Sequence, residues 1–301
     1  MSMNLRDLEY LSALYDERHF RKAAERCFVS QPTLSGQIRK LEDELNITLI
    51  ERDTRNVMFT SAGESIVNRA RRVLDEVKSL KDTAQSFRDP MSGDLRVGLI
   101  PTVAPYLLPK MMPALFSECP NIKWQLEEQQ TNVLLNQLKE GQIDALILAW
   151  LPEMEGLGHI SLYDEPLYLA SASGHELMSR DCVELDELDG QMVLMLEDGH
   201  CLRDQAMGYC FSAGAKEDGT FRATSLETLR HMVATGRGVT LMPYLAIEQN
   251  TQASDMLSYR PFSDPQPARE IALVYRRGTS RIRTLQAIAN VIKQSVTMPT
   301  A

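Results

Sequence analysis

An unbroken four-three repeat of apolar residues, Ile66, Ala70, Val73, Val77, Leu80, Ala84 and Phe87, runs through the first third of the chain. Only a helix brings residues at that spacing onto one face, and a seam of about 3.5 residues favours a dimeric coiled coil over a helix lying on its own domain. Ser61 and Glu64 have capping-box spacing at its start, and Arg88-Asp89-Pro90-Met91-Ser92-Gly93 breaks it like a hinge. A helix so bounded divides the 301 residues into a small N-terminal module (1–60), a linker (61–90) and a large C-terminal part (91–301).

The 44% hydrophobic and 24% charged residues, with a mean hydropathy of -0.24, exclude a disordered chain. The net charge of -9 excludes a surface that is basic all over. Residues 1–90 carry fifteen Lys/Arg against fifteen Asp/Glu, so the acidic excess belongs to the C-terminal two thirds and a small module for an anionic partner remains open. No stretch approaches the roughly 18 apolar residues of a membrane span, and the first seven residues are too polar and acidic to open a signal peptide. A cytoplasmic protein without a membrane partner is expected. Five scattered cysteines do not suit a disulfide scaffold but leave room for a redox-active pair.

Within the N-terminal module, Leu5, Leu8, Leu11 and Leu14 recur on one face of a helix to Glu17, with Asn4 as N-cap. Phe20 to Cys27 fits a second helix. Phe28-Val29 turns the chain, and Ser30 as N-cap with Pro32 in the first turn opens a third helix to about Leu45. That is a helix-turn-helix pattern, and Leu49 to Thr60 reads as a β-hairpin wing with Arg52 and Arg55 at its tip. From Leu95 onward strands and helices alternate, which implies an α/β domain with ligands at the strand ends.

A helix beginning at Ser30 places Gln31, Thr33 and Ser35 at the end that recognition helices present to base edges. Gln pairs bidentately with adenine, and hydroxyls suit several bases. Arg21, Lys22, Arg39, Arg52 and Arg55 would sit on backbone phosphates, although for any one of them a solvated surface charge is an equal reading. For Ser30, capping is sufficient explanation.

Ala23-Ala24, then Val29-Ser30-Gln31-Pro32-Thr33-Leu34-Ser35, Gln37-Ile38 and Leu41-Glu42 together resemble the LysR-type transcriptional regulators. Leu138, Gly141, Ile143-Asp144, Gly236, Gly238, Leu241 and Pro243 fit the same family further on. The resemblance implies a winged helix-turn-helix on promoter double-stranded DNA, a linker-helix dimer assembling as a dimer of dimers, and RNA polymerase as partner. It also implies an effector domain of two α/β subdomains like periplasmic binding proteins, about 91–165 plus 268–301 and 166–267.

The second informative segment is Glu197 to Cys210, whose Asp198-Gly199 start suggests a helix with Cys201 in its first turn. A helix N-terminus with His200 and Arg203 nearby lowers a thiol pKa and makes Cys201 a candidate for oxidation by peroxide. Nine residues on an intact helix separate Cys201 from Cys210 by about 13.5 Å of rise and half a turn. A disulfide needs Cα atoms within roughly 7 Å, so pairing requires the helix to be partly dismantled. Two unrelated buried cysteines remain an alternative on spacing alone.

This segment, with Leu99-Ile100-Pro101-Thr102-Val103 and Ala223-Thr224-Ser225-Leu226-Glu227, is similar to the peroxide-sensing members of the LysR-type family. The likeness implies that hydrogen peroxide oxidises Cys201 to a sulfenic acid, that Cys210 resolves it to a disulfide, and that a thiol reductant such as glutaredoxin or thioredoxin resets the pair. It further implies activation of stress-defence genes and a peroxide pocket of Thr102, Thr131, His200, Arg269 and Arg203. By position alone, Thr102 and Thr131 each precede a helix and read as N-caps, and Arg269 reads as a surface charge. No Cys-x-x-Cys occurs, and His200 beside Cys201 is not the spacing of a closed zinc site, so neither metal nor cofactor is expected. Two rivals stay open: a LysR-type regulator answering to a small-molecule coinducer, and a thiol peroxidase using Cys201 catalytically.

Overall fold

A computed structural model describes residues 3–52, 57–86, 91–248 and 256–299. They form two compact units, one built on Met1–Arg88 and the other on Asp89–Lys139 with Ile143–Ala301.

The first unit is a winged helix-turn-helix. Helix α1 (Leu5–Glu17) starts at a reciprocal cap, in which Asn4 and Asp7 each accept the other's backbone N–H. Helix α2 (Phe20–Arg26) is capped by His19, whose Nδ1 accepts from the Arg21 and Lys22 amides. Helix α3 (Gln31–Leu45) begins after Ser30 with Pro32 in its first turn. Strands β1 (Ile50–Arg52) and β2 (Val57–Phe59) pair antiparallel as the wing. The Glu42 carboxylate accepts from the Leu49 and Ile50 amides at 2.8 and 3.1 Å, which fixes the wing on α3. Leu11, Leu14, Ala23, Leu34, Ile38, Leu41 and Leu49 form the core.

Helix α4 (Ser61–Ser86) begins where the sequence places it, but its cap lies one residue earlier. The Thr60 hydroxyl accepts from the Gly63 amide at 3.0 Å, so Thr60 does what the Ser61-Glu64 spacing assigns to Ser61. The apolar seam divides: Ile66 and Ala70 pack on the module's own core, whereas Val73 is 45% and Leu80 70% exposed. Phe87, at the end of the seam, lies outside the described residues.

The second unit alternates strands and helices: β3 (Gly93–Leu99), α5 (Ala104–Glu118), β4 (Ile122–Glu128), α6 (Thr131–Lys139), β5 (Ala145–Ala149) and a long β6 (Gly158–Ala172). Then follow β7 (Met192–Leu196), α7 (Cys201–Ser212), β8 (Lys216–Ala223), α8 (Leu226–Ala234), β9 (Thr240–Pro243), α9 (Tyr244–Glu248), β10 (Leu257–Arg260), β11 (Ala268–Tyr275) and α10 (Ile282–Ser295). The large sheet runs β10-β6-β11-β5-β3-β4, with β9 also on β6. Strands β3, β4 and β5 are parallel neighbours, and the fully buried Ala145–Ala149 is the apolar run such a strand needs. From Gly158 to Pro166 β6 pairs with β11, and from Leu167 to Ala172 with β9 and β10. Strands β7 and β8 form a separate parallel pair from which α7 departs.

Candidate functional site

Helix α3 turns Leu34, Ile38 and Leu41 inward, leaving Gln31, Pro32, Thr33 and Arg39 exposed and Ser35 and Gln37 half-exposed. This face is the one the helix-turn-helix offers to a groove. Ser30 caps the helix, accepting from the Thr33 amide at 3.3 Å, and its hydroxyl shares a hydrogen bond of 2.7 Å with the Thr33 hydroxyl. Arg21 and Lys22 stand exposed in the first turn of α2, with Arg21 loosely paired to Glu25 on the same helix. Arg55 and the side chain of Arg52 lie outside the described residues.

In the second unit Cys201 is the first residue of α7 and Cys210 lies near its end. Both thiols are free and buried. The helix is unbroken between them, so it holds them about 13.5 Å apart along its axis. His200 occupies the N-cap position without a side-chain capping hydrogen bond, and its carbonyl accepts the Arg203 amide at 2.9 Å, so the positive end of the helix dipole lies at Cys201. Burial pushes the His200 pKa below its ordinary value against the opposing pull of Glu197, so the ring is neutral at neutral pH. Arg203 is buried and already matched: it donates to the Leu196 carbonyl and to both Glu217 oxygens, and lies 3.0 Å from Asp198. The neutral His200 ring brings no positive charge to the thiol, and the charge of Arg203 is balanced by Glu217 and Asp198. Burial pushes the Cys210 thiol up to about 12, leaving it protonated while α7 is intact.

Arg269, which reads as a surface charge by itself, is the largest fully buried side chain among the described residues. Its guanidinium donates to Glu165 at 2.9 Å, to the Thr102 hydroxyl at 2.9 Å and to the Thr102 carbonyl at 2.9 Å. Glu165 in turn accepts the Leu245 amide, so the buried pair is hydrogen-bonded on both sides. Thr102 is thus held by Arg269 and caps nothing: α5 starts two residues later without a side-chain cap. Thr131 is the first residue of α6, and its buried hydroxyl has no hydrogen-bond partner among the described residues. The buried His200 Nε2 and Gln205 Oε1 share that condition.

Contacts link these groups around α7. The Tyr209 hydroxyl donates to the Ala268 carbonyl at 3.0 Å, docking the end of α7 beside Arg269. At the other end, the Gln130 amide donates to Glu197 at 3.1 Å, joining the loop that carries Thr131 to the loop that carries His200. Buried polar atoms left without protein partners are what a small oxygen-rich ligand could satisfy.

Two family models match: the bacterial regulatory helix-turn-helix protein, lysR family, over residues 5–64, and the LysR substrate binding domain over residues 88–297. The DNA-binding transcriptional dual regulator OxyR of Escherichia coli K12 is 53% identical over 97% of this chain and 95% of its own length. This chain belongs to the OxyR family of LysR-type regulators. A full-length OxyR variant from Pseudomonas aeruginosa matches with a TM-score of 0.80 and 34% identity over all of both chains. A Corynebacterium glutamicum OxyR variant described as hydrogen-peroxide-bound matches with a TM-score of 0.68 and 34% identity, over 98% of this chain and 93% of that one. The family is one of transcriptional regulators and not of enzymes.

Around the candidate site, Glu165 and Gln130 were not singled out from sequence, and Glu197, Gln205 and Tyr209, though inside the Glu197–Cys210 segment, were given no role. Gln205 follows Cys201 by one helical turn, a signal in plain view; the other four acquire meaning only from partners distant in sequence.

Proposed function

We propose that this OxyR-family protein is a cytoplasmic activator of oxidative-stress genes, switched by reversible disulfide formation between Cys201 and Cys210. The observation that carries the reading is the pair of free thiols at the two ends of one helix, with Cys201 at the helix N-terminus beside unsatisfied buried polar atoms. A relative captured with hydrogen peroxide bound supports the choice of signal. The Cys201 sulfur attacks one peroxide oxygen, the O–O bond breaks, and a sulfenic acid forms while the second oxygen takes the thiol proton and leaves as water. Cys210 then attacks that sulfur; the S–S bond forms and the sulfenic oxygen departs as a second water. Thr102, Thr131, His200 and Arg269 form the peroxide pocket, while Arg203 anchors the start of α7 through Glu217.

Because Cys210 is buried and protonated within an intact helix, the second step requires α7 to unwind, and that refolding is the output. A reductant such as glutaredoxin or thioredoxin returns the pair to thiols. The exposed half of the α4 seam supports self-association as a dimer, and as a dimer of dimers at paired half-sites. Gln31, Thr33, Ser35 and Gln37 read bases, with Pro32 shaping the helix start, and Arg21, Lys22, Arg39, Arg52 and Arg55 contact phosphates. In the regulator reading RNA polymerase is the downstream partner.

Peptide mapping by mass spectrometry after a stoichiometric peroxide pulse tests the switch. A Cys201–Cys210 link formed within seconds supports it. Five free thiols with intact DNA binding would point instead to a small-molecule coinducer, and repeated peroxide consumption under reductant to a thiol peroxidase.

A further inference from the structure

We propose that Gln130 and Glu197 form a latch between the β4–α6 and β7–α7 loops, positioning Thr131 and His200 as one wall of the Cys201 pocket. The inference rests on the reading of Cys201 as a peroxide-reactive thiol and assigns two residues that act on it through others. Its first support is the hydrogen bond from Gln130 Nε2 to Glu197 Oε1 at 3.1 Å. The same Glu197 oxygen lies 4.0 Å from His200 Nε2, a buried nitrogen without a hydrogen-bond partner among the described residues. One carboxylate oxygen is therefore held by the first loop while facing the ring carried by the second.

The second support is steric. Gly199 has φ +95, a conformation that favours glycine, and a Cβ built there would come within 2.7 Å of Gln130 Oε1. The Gln130 amide lies against the backbone immediately before His200, with its nitrogen end on Glu197 and its oxygen end over Gly199. Its own carbonyl accepts the Leu134 amide at 3.1 Å, so the residue that holds the second loop also starts α6 next to Thr131. The neighbouring charges are matched elsewhere: Asp198 pairs with Arg203 and Arg222, Arg203 with Glu217, and Arg269 with Glu165. Glu197 is left to face His200. Peroxide has two small oxygens and no shape to hold, so its orientation depends on how accurately Thr131 and His200 are set relative to the sulfur.

The test compares two reactions of Cys201 in the full-length protein: oxidation by hydrogen peroxide, followed by trapping the sulfenic acid, and alkylation by iodoacetamide. Alkylation reports access and thiolate content without needing the pocket wall. Gln130→Ala and Glu197→Ala should slow oxidation by about 10- to 100-fold while leaving alkylation within about twofold. Glu197→Gln keeps an oxygen for the Gln130 amide and should recover most of the rate. Oxidation at the wild-type rate in both alanine variants would overturn the latch, as would equal losses in both reactions, which signify general disorder around α7. If one alanine variant fails to fold, the other with Glu197→Gln decides. A wild-type protein that does not form the sulfenic acid would instead remove the peroxide reading itself.

Discussion

Gly208 lies in the interior of α7, exposed, and a Cβ added there would meet nothing within 4 Å. Glycine inside a helix is less favourable than alanine by about 0.5–1 kcal/mol, because it gives up more backbone freedom when ordered. Gly208→Ala should therefore stabilise the helical dithiol form by that amount, with no new clash to offset it. In the proposed disulfide form the segment between Cys201 and Cys210 has left the helix and gains nothing comparable. For a two-electron couple this stabilisation moves the potential by about 10–20 mV toward less negative values, or about two- to fivefold in the equilibrium constant. Equilibration in glutathione buffers of graded ratio, quenched by alkylation and read by peptide mass spectrometry, resolves such a shift. Gly36→Ala on α3, where a Cβ likewise meets nothing within 4 Å, is the control: it adds helix propensity outside the switch and should leave the potential unchanged. An unchanged or more negative potential in Gly208→Ala would refute the idea that α7 must unwind through Gly208 for the thiols to meet.

Phe28 is 96% exposed at φ 57, a left-handed conformation that a bulky side chain adopts at a cost of about 1–2 kcal/mol. Phe28→Gly should raise the melting temperature of the first unit in calorimetry, and a lower one would show that the ring stabilises something. Arg269→Met leaves the Glu165 carboxylate buried without its cation and should lose about 3–5 kcal/mol in urea unfolding, with Arg269→Met/Glu165→Gln recovering part of it. The folded protein keeps the Cys210 proton up to about pH 12, whereas the unfolded chain releases it near 9. This contribution is fully present below 9 and is lost as pH rises toward 12, so the wild type should lose more stability than Cys210→Ala between melts at pH 8 and pH 10.5.

The N-terminal module was legible because its determinants are local. Asn4, Ser30 and Pro32 mark helix starts within a few residues of where they act, and the apolar spacing of α1 and α3 identifies their inward faces. The position of Cys201 in the first turn of α7 was equally readable. What could not be read is whatever depends on a partner far along the chain. Arg269 is a surface charge until the β6–β11 pairing brings Glu165, 104 residues away, and the loop after β3 brings Thr102, 167 residues away. The charge state of His200 follows from its burial, and the occupation of Arg203 from Glu217 on strand β8. Thr102 and Thr131 sit where caps belong, yet one is held by a guanidinium and the other caps nothing, a distinction invisible in local sequence.

Strand β6 is hydrogen-bonded on both sides of the Pro166–Leu167 junction, to β11 before it and to β9 and β10 after it. A strand laddered along its length makes a poor hinge. Helix α7 is held to this frame by side-chain contacts such as the Tyr209–Ala268 hydrogen bond and not by strand pairing. In the proposed switch each molecule has two discrete states, α7 wound or α7 unwound. A rising oxidant dose should increase the fraction of molecules in the second state without altering what either state looks like.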